Sequence, residues 1–520
     1  MTRANRAQNE TAANLPPRWV GVNFRFLRTP FLVFPLFSFA MAKPRKLIFY
    51  LAALDTLPAN HNHVLFTLAS LARKYFQSLL LFLCSGRTQL MTPSCAQLLF
   101  SVFLFLPMAS GFSATAYWLP GTGKLTPEIT ESHGIPPTSG AQHTTAFGSI
   151  TSRTNQSATE RWNEEATQLI TKYRVNPLRA VRALSLLQVA MDDAGLRAET
   201  LGLKQAAQSA ATHVAASVML AHFFPLESAG RFEAMRELTL VTLTASQPGQ
   251  ARDIARGASV GLGVTRLAIL RALNDGADEV WDARTRPAVK PGIWQGVPPL
   301  ESAHPQEPLA GAWQTWLFKN GGEFQPLHPP APDSEAFLLA AKEVLEVSRN
   351  LTPEQKQIAE AWHLDQGSVT PPGVWNSKAR ELATRHKLSE QERLRLLSTL
   401  NVAMLDASIA CWHAKYTWWV QRPATTIQEK LDKTFTPYLV TPPHPSYVSG
   451  HATVSGAAAE VLKHTFPLDA RQIDAWAEEA AMSRLYGGIH YRFDNDAGLT
   501  LGRQIGKVVL KRAPRKTQGE

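Results

Sequence analysis

From about Ser157 onward, apolar residues recur at i, i+3, i+4 and i+7, the spacing of one face of a helix. The stretches "RWNEEATQLITKYR", "PLRAVRALSLLQVAMDDAGLRA", "LKQAAQSAATHVAASVMLAHFF" and "RFEAMRELTLVTLTAS" all follow it. They are rich in Ala and Leu, which are good helix formers. The pattern predicts further helices over Ser334–Arg349, Pro353–Trp362, Glu390–Trp419, Ser449–His464, Ala470–Tyr486 and Asn495–Lys511. Between them, Arg286 to Pro332 is rich in proline ("KPGIWQGVPPLESAHPQEP", "PLHPPAP") and reads as a long irregular connection lying over the helices. Alternating strand-like runs are scarce, and no solenoid repeat is visible. The expected fold is an all-α helical bundle, with one core spanning most of residues 150–515 inside a single domain over 121–520.

The first 120 residues are of another kind. Short apolar runs such as "FLVFPLFSFAMA" and "SLLLFLC" are cut by Pro, Lys or Arg. Leu98 to Met108 has the length of a signal-peptide core, with Arg87 before it and the small residues of "ASGFSATA" after it. Met91 is then a plausible start, with a signal peptide over about 91–116 removed near Ala109–Ala116. Residues 1–90 become a leader or an over-extended reading frame. This predicts export to the periplasm or the exterior. The alternative is an N-terminal membrane anchor over Ala96–Ala114. The letters "HNH" at His61–His63 have no partner motif.

Charge sharpens this division. The net charge is +11, but residues 1–120 hold eleven Lys/Arg against two Asp/Glu. The remaining 400 residues are nearly neutral, so no broad basic face for nucleic acid is expected. Residues 150–515 contain no run of eighteen apolar residues, and no stable membrane span is expected there. The three cysteines, Cys84, Cys95 and Cys411, support neither a disulfide framework nor a cysteine zinc site.

Three segments carry candidate chemistry. In "WHAKYTWWVQRP", Lys415 and Arg422 are seven apart, about two helical turns, so one helix face is expected to carry both, joined by Trp412. Pro423 is expected to stop that helix. Taken alone, this is a solvated basic face beside core tryptophans. In "TPPHPSYVSGHATVSGAAAEVL", the prolines keep the chain extended and Ser449 is a good N-cap. Gly450 and His451 then fall in a first turn whose free N–H groups favour an anion. In "SRLYGGIHYRFDND", Arg484 closes a helix, Gly487 and Gly488 turn the chain, and His490 follows. Asp494 can reach back one turn to an imidazole N–H and fix which nitrogen is free. Lys415, Arg422 and Arg484 would repel a zinc ion, and cysteine and acidic ligands are missing. A tetrahedral oxyanion suits them, because its oxygens need several charge-assisted donors. One histidine can bond the central atom while the other moves protons.

"KYTWWVQRP", "VSGHAT" and "SRLYGGIHYRFD" resemble the three signature blocks of the type-2 phosphatidic acid phosphatase and vanadium-dependent haloperoxidase superfamily. That pattern is Lys, six residues, Arg-Pro; then Pro-Ser-Gly-His; then Ser-Arg, five residues, His, three residues, Asp. All three spacings hold, with Val448 where the family usually has proline, a change that removes no donor. Weaker likeness to bacterial haloperoxidase-like members reaches upstream, so the resemblance covers roughly residues 157–515. It implies that His490 bonds vanadium or acts as a phosphatase nucleophile, that His451 is the acid–base residue, and that Asp494 orients His490. Lys415, Arg422, Arg484, Ser449 and the Gly450 N–H would hold the equatorial oxygens.

With vanadate as cofactor, the resemblance implies oxidation of a halide by hydrogen peroxide and halogenation of an organic acceptor. Without it, the same cage would hydrolyse a phosphate ester through a phosphohistidine, as a soluble exported acid phosphatase does. The extra helices ahead of the site resemble the haloperoxidases. Trp412 and His444 match positions lining the halide pocket, and a histidine at the latter resembles the bromoperoxidases, so bromide is the favoured halide. A catalytically silent anion-binding member is the third reading; unused cations crowded together would be costly. A homodimer is left open as the assembly.

Overall fold

The structure is a computed structural model and describes residues 117–127, 157–227, 230–300 and 304–514. Expectations for the leader and signal peptide therefore lie outside the described residues, apart from Tyr117–Pro120. The described residues form helices α1 (Ala158–Lys172), α2 (Pro177–Thr200), α3 (Gln205–Phe223), α4 (Arg231–Ser246), α5 (Ala251–Ala272), α6 (Glu335–Arg349) and α7 (Pro353–Ala361). They continue with α8 (Thr370–Arg385), α9 (Glu390–Trp418), α10 (Pro423–Lys430), α11 (Gly450–Thr465), α12 (Ala470–Tyr486) and α13 (Arg492–Arg512). Only isolated β-bridges join them among the described residues. The fold is all-α, as the apolar spacing predicts.

Helix starts follow capping chemistry. Ser157, Asn176, Ser334, Thr352 and Ser389 each accept a first-turn N–H, and Thr352 and Ser389 complete capping boxes. Three helices were not evident in the sequence. The spacing of α5 is broken by Gly257, Gly261 and Gly263, and α8 opens on Thr-Pro-Pro-Gly, which reads as a turn. The third, α10, is started rather than prevented by Pro423, because proline at a first helical position lacks only an N–H with no intrahelical acceptor.

One continuous apolar core runs from Trp118 to Val509. At its centre lies α9, the one helix among the described residues long and apolar enough to cross a membrane, and it is almost wholly buried within the bundle. Helices α11 and α13 make the most extensive pairing. Glycines permit it: a Cβ at Gly502 would lie 2.0 Å from the Thr453 carbonyl oxygen, and one at Gly498 would lie 2.8 Å from that of Ser449. No side chain fits such gaps. This approach sets the start of α11 beside the start of α13, where Ser449 N–H donates to the Asp494 carbonyl at 3.0 Å.

Candidate active site

Three chain segments converge beside the starts of these helices. The first corrects a sequence expectation: Lys415 and Arg422 do not share a helix. Helix α9 ends at Trp418, and Trp419 takes a left-handed conformation (φ 50°). The proline-rich connection causes the break by pairing with the chain. Trp294 N–H donates to the Trp419 carbonyl at 2.6 Å, and Gln421 N–H to that of Gly292 at 3.0 Å. Arg422 thus comes from an extended turn at the head of α10, while Lys415 comes from the last turn of α9. Both are fully buried and bond the same loop, Lys415 through the Pro445 and Ser446 carbonyls and Arg422 through that of His444.

Lys415 Nζ donates to the carbonyls of Pro445 and Ser446 at 2.8 and 2.9 Å. Arg422 donates to the carbonyls of His444 (2.9 Å) and Ile489 (2.7 Å). Arg484, at the end of α12, donates to those of Trp362 (2.7 Å) and Ala359 (3.4 Å). Among the described residues no carboxylate lies within ion-pair distance of any of the three. Burial accordingly lowers all three pKa values, Lys415 to about 7, Arg422 to about 10 and Arg484 to about 9.

The turn at Gly487 and Gly488 (φ +73° at Gly488) delivers His490 as expected. Its Nδ1 lies 2.8 Å from Asp494 Oδ2, in the first turn of α13. The carboxylate only accepts, so Nδ1 carries the proton. Nε2 lies 3.1 Å from Arg422 Nη1, which only donates, so Nε2 holds the lone pair. Burial, then Arg422 and Lys415, holds the imidazole neutral by driving its pKa well below the usual value. Burial pushes Asp494 up, to about 6, opposed first by the Ser446 hydroxyl.

Ser449 caps α11, and the N–H groups of Gly450 and His451 open it with no intrahelical acceptor. His451 is half-buried at the rim, its Nε2 2.9 Å from the Trp362 carbonyl. Trp412 and His444 face each other with ring centroids 5.1 Å apart. Arg422 Nη2 donates to His444 Nδ1 at 3.0 Å, and Trp412 Nε1 to the Gln306 carbonyl at 3.2 Å. His444 is thus a buried ring fixed by Arg422, not an exposed loop residue. A pocket is lined by Trp412, His444, Gly450, His451, Arg484 and His490, with an apolar wall that includes Leu178, Pro372, Val440 and Ile489.

Two participants escaped the sequence analysis. Ser446 is fully buried and donates to Asp494 Oδ2 at 2.6 Å; it stands inside the second motif region, three residues before Ser449. Trp362 acts through its carbonyl, and nothing in its side-chain identity signals that.

The sequence model of the VCPO second helical-bundle domain matches residues 395–474 and 463–519, which contain all the motif residues. A crystal structure described as the first bacterial vanadium-dependent iodoperoxidase superposes with a TM-score of 0.60 at 26% identity, covering 69% of this chain and 98% of that one. Over these residues the chain is similar to the haloperoxidase-like enzymes of this superfamily. A vanadium-dependent bromoperoxidase from Ascophyllum nodosum is 37% identical over a 93-residue alignment that covers 12% of this chain and only 17% of that protein's length. A holo-type bacterial vanadium-dependent chloroperoxidase shares the fold, with a TM-score of 0.51 at 15% identity over 66% of this chain and 93% of its own. The haloperoxidase-like fold thus accounts for the helices ahead of the motifs, which the superposition includes.

Proposed function

We propose that the protein is a vanadate-dependent haloperoxidase that oxidises a halide, bromide by preference, with hydrogen peroxide and so halogenates an organic acceptor. One observation carries the reading: three buried cations without a carboxylate partner surround an imidazole whose lone pair is free of a proton. Three desolvated positive charges call for an anion. The donor set fits vanadate: Lys415, Arg422, Arg484, Ser449 and the Gly450 N–H would hold its oxygens, and His490 Nε2 would bind the metal. Vanadate supplies a Lewis-acid centre that activates peroxide towards a halide.

The chain's own residues do the rest. Asp494 and Ser446 hold the His490 ring with Nε2 inward. Lys415 and the two arginines present fixed positive charge where oxygen charge accumulates. His451 at the rim moves protons to and from the peroxide oxygens. Trp412 and His444 line the place for the halide, and the apolar wall suits an organic acceptor. The match to a bromoperoxidase supports bromide, although the superposed relatives are described as acting with iodide and chloride. The leader sequence supports export, which N-terminal sequencing of the mature protein tests.

The direct test is to load the protein with orthovanadate and assay peroxide-dependent halogenation with chloride, bromide and iodide, beside hydrolysis of p-nitrophenyl phosphate. The expected result is halogenation, fastest with bromide, and no hydrolysis. Hydrolysis inhibited by vanadate would instead support the phosphatase reading, since vanadate and a phosphoryl transition state share one shape. His490→Ala should cost about three orders of magnitude or more in either activity. An unchanged rate would refute the assignment.

A further inference from the structure

The carbonyl of Trp362 meets two functional side chains at once. His451 Nε2 lies 2.9 Å from it and Arg484 Nη2 lies 2.7 Å from it. A carbonyl oxygen only accepts, so both nitrogens donate, and the His451 proton sits on Nε2. The neutral ring then keeps its lone pair on Nδ1. Neutrality itself has a structural cause: burial, then the Arg484 charge, drives the His451 pKa well below the usual value.

The carbonyl is held from behind. Trp362 caps α7, and its buried indole ring packs against that of Trp375 with centroids 6.3 Å apart. The indole N–H donates to Glu479 Oε1 at 2.8 Å. Glu479 stands on α12, five residues before Arg484. One residue is therefore fastened to α12 by its side chain and its main chain, and reaches α11 through His451. None of the three sequence motifs contains it.

We propose that Trp362 is a positioning residue that fixes the tautomer of His451, so that Nδ1 is the nitrogen exchanging protons at the bound anion. This rests on the acid–base role proposed for His451. The ring takes a proton on Nδ1 and returns it from Nδ1, while the Nε2 proton stays on the Trp362 carbonyl throughout. The same carbonyl holds the Arg484 fork, which couples the proton shuttle to the anion cage.

The test is nitrogen-15 NMR of histidine-labelled, vanadate-free protein, with the His451 signals identified by their loss in His451→Gln. Two variants loosen the anchor. Trp362→Phe keeps a buried ring and deletes the N–H; Glu479→Ala deletes the acceptor at an exposed position, where folding is not at stake. The wild type should show a protonated Nε2 and an unprotonated Nδ1. Both variants should show mixed tautomers, and their vanadate affinity by equilibrium dialysis should weaken about tenfold. A wild-type ring protonated on Nδ1 would overturn the proposal. So would unmixed wild-type tautomer signals in both variants. The spectrum is read without turnover: a wild type that oxidises no halide overturns the activity reading, and the tautomer stands or falls on the spectrum alone.

Discussion

Two regions of the bundle treat buried positive charge in opposite ways. Toward the N-terminal helices, Arg182 of α2 is buried and meets Asp275 with two hydrogen bonds, at 2.7 and 3.1 Å, and adds a bond to the Ala272 carbonyl. Among the motif residues, Arg422 and Arg484 are at least as buried, but main-chain carbonyls, imidazoles and the Ser483 hydroxyl are their partners. Carbonyl dipoles satisfy the donors without cancelling the charge. The first arrangement is complete in itself and holds a fold together. The second keeps net positive charge buried, which is worth its desolvation only when an anion shares it. The lack of a carboxylate in direct contact distinguishes these arginines from the Arg182–Asp275 ion pair.

Three measurements press on that contrast. The largest effect is expected from Arg182→Leu, which strands Asp275 in the core and should cost about 3–5 kcal/mol of unfolding free energy. Arg422→Leu strands carbonyls only. It should cost less stability but lower vanadate affinity by roughly 10- to 100-fold, as expected for loss of a charge-assisted bond. Denaturant unfolding and equilibrium dialysis on both variants read the two quantities. If Arg422→Leu proves the more destabilising, the contrast fails.

Next, vanadate should stabilise the wild type by mass action, by about 2.7 kcal/mol at a hundredfold excess over its dissociation constant. Arg182→Leu should gain as much, while Arg422→Leu should gain far less at the same concentration. Thermal melts with and without vanadate decide this.

The smallest effect concerns pH. Burial lowers the Lys415 pKa from 10.5 to about 7. Between those values the unfolded chain binds more protons than the folded one, so this group's contribution to stability rises with pH. The wild type should therefore gain stability relative to Lys415→Met from pH 7 towards pH 10, and its anion affinity should fall over the same range as the charge is lost. A pH-independent difference between the two proteins would show that Lys415 keeps its charge throughout.

How far the site could be read in advance varies residue by residue. His490 and Asp494 were legible because four residues make one helical turn and the glycine pair marks the bend before it. Ser449 and His451 were legible because a proline-stiffened chain followed by serine and small residues is a helix start. Lys415 and Arg422 lie close enough to interact, but not on one helix face as the spacing predicts. Seven residues fit two turns of a helix, but the chain leaves the helix at Trp419, held by a segment more than a hundred residues earlier. Ser446 had only its place near a motif to recommend it, and the Trp362 carbonyl had no sequence signal at all.

The sequence by itself determined the helical class, most helix positions and the chemical kind of the site, because periodicity, capping and charge are local properties of the chain. Only the tertiary structure decided that the cations would be buried with no carboxylate in direct contact, that a proline-rich connection would end α9, and that a main-chain carbonyl at the end of α7 would hold His451 and Arg484. Those outcomes depend on which distant segments meet, and a backbone carbonyl looks the same in every residue until packing points it at a partner.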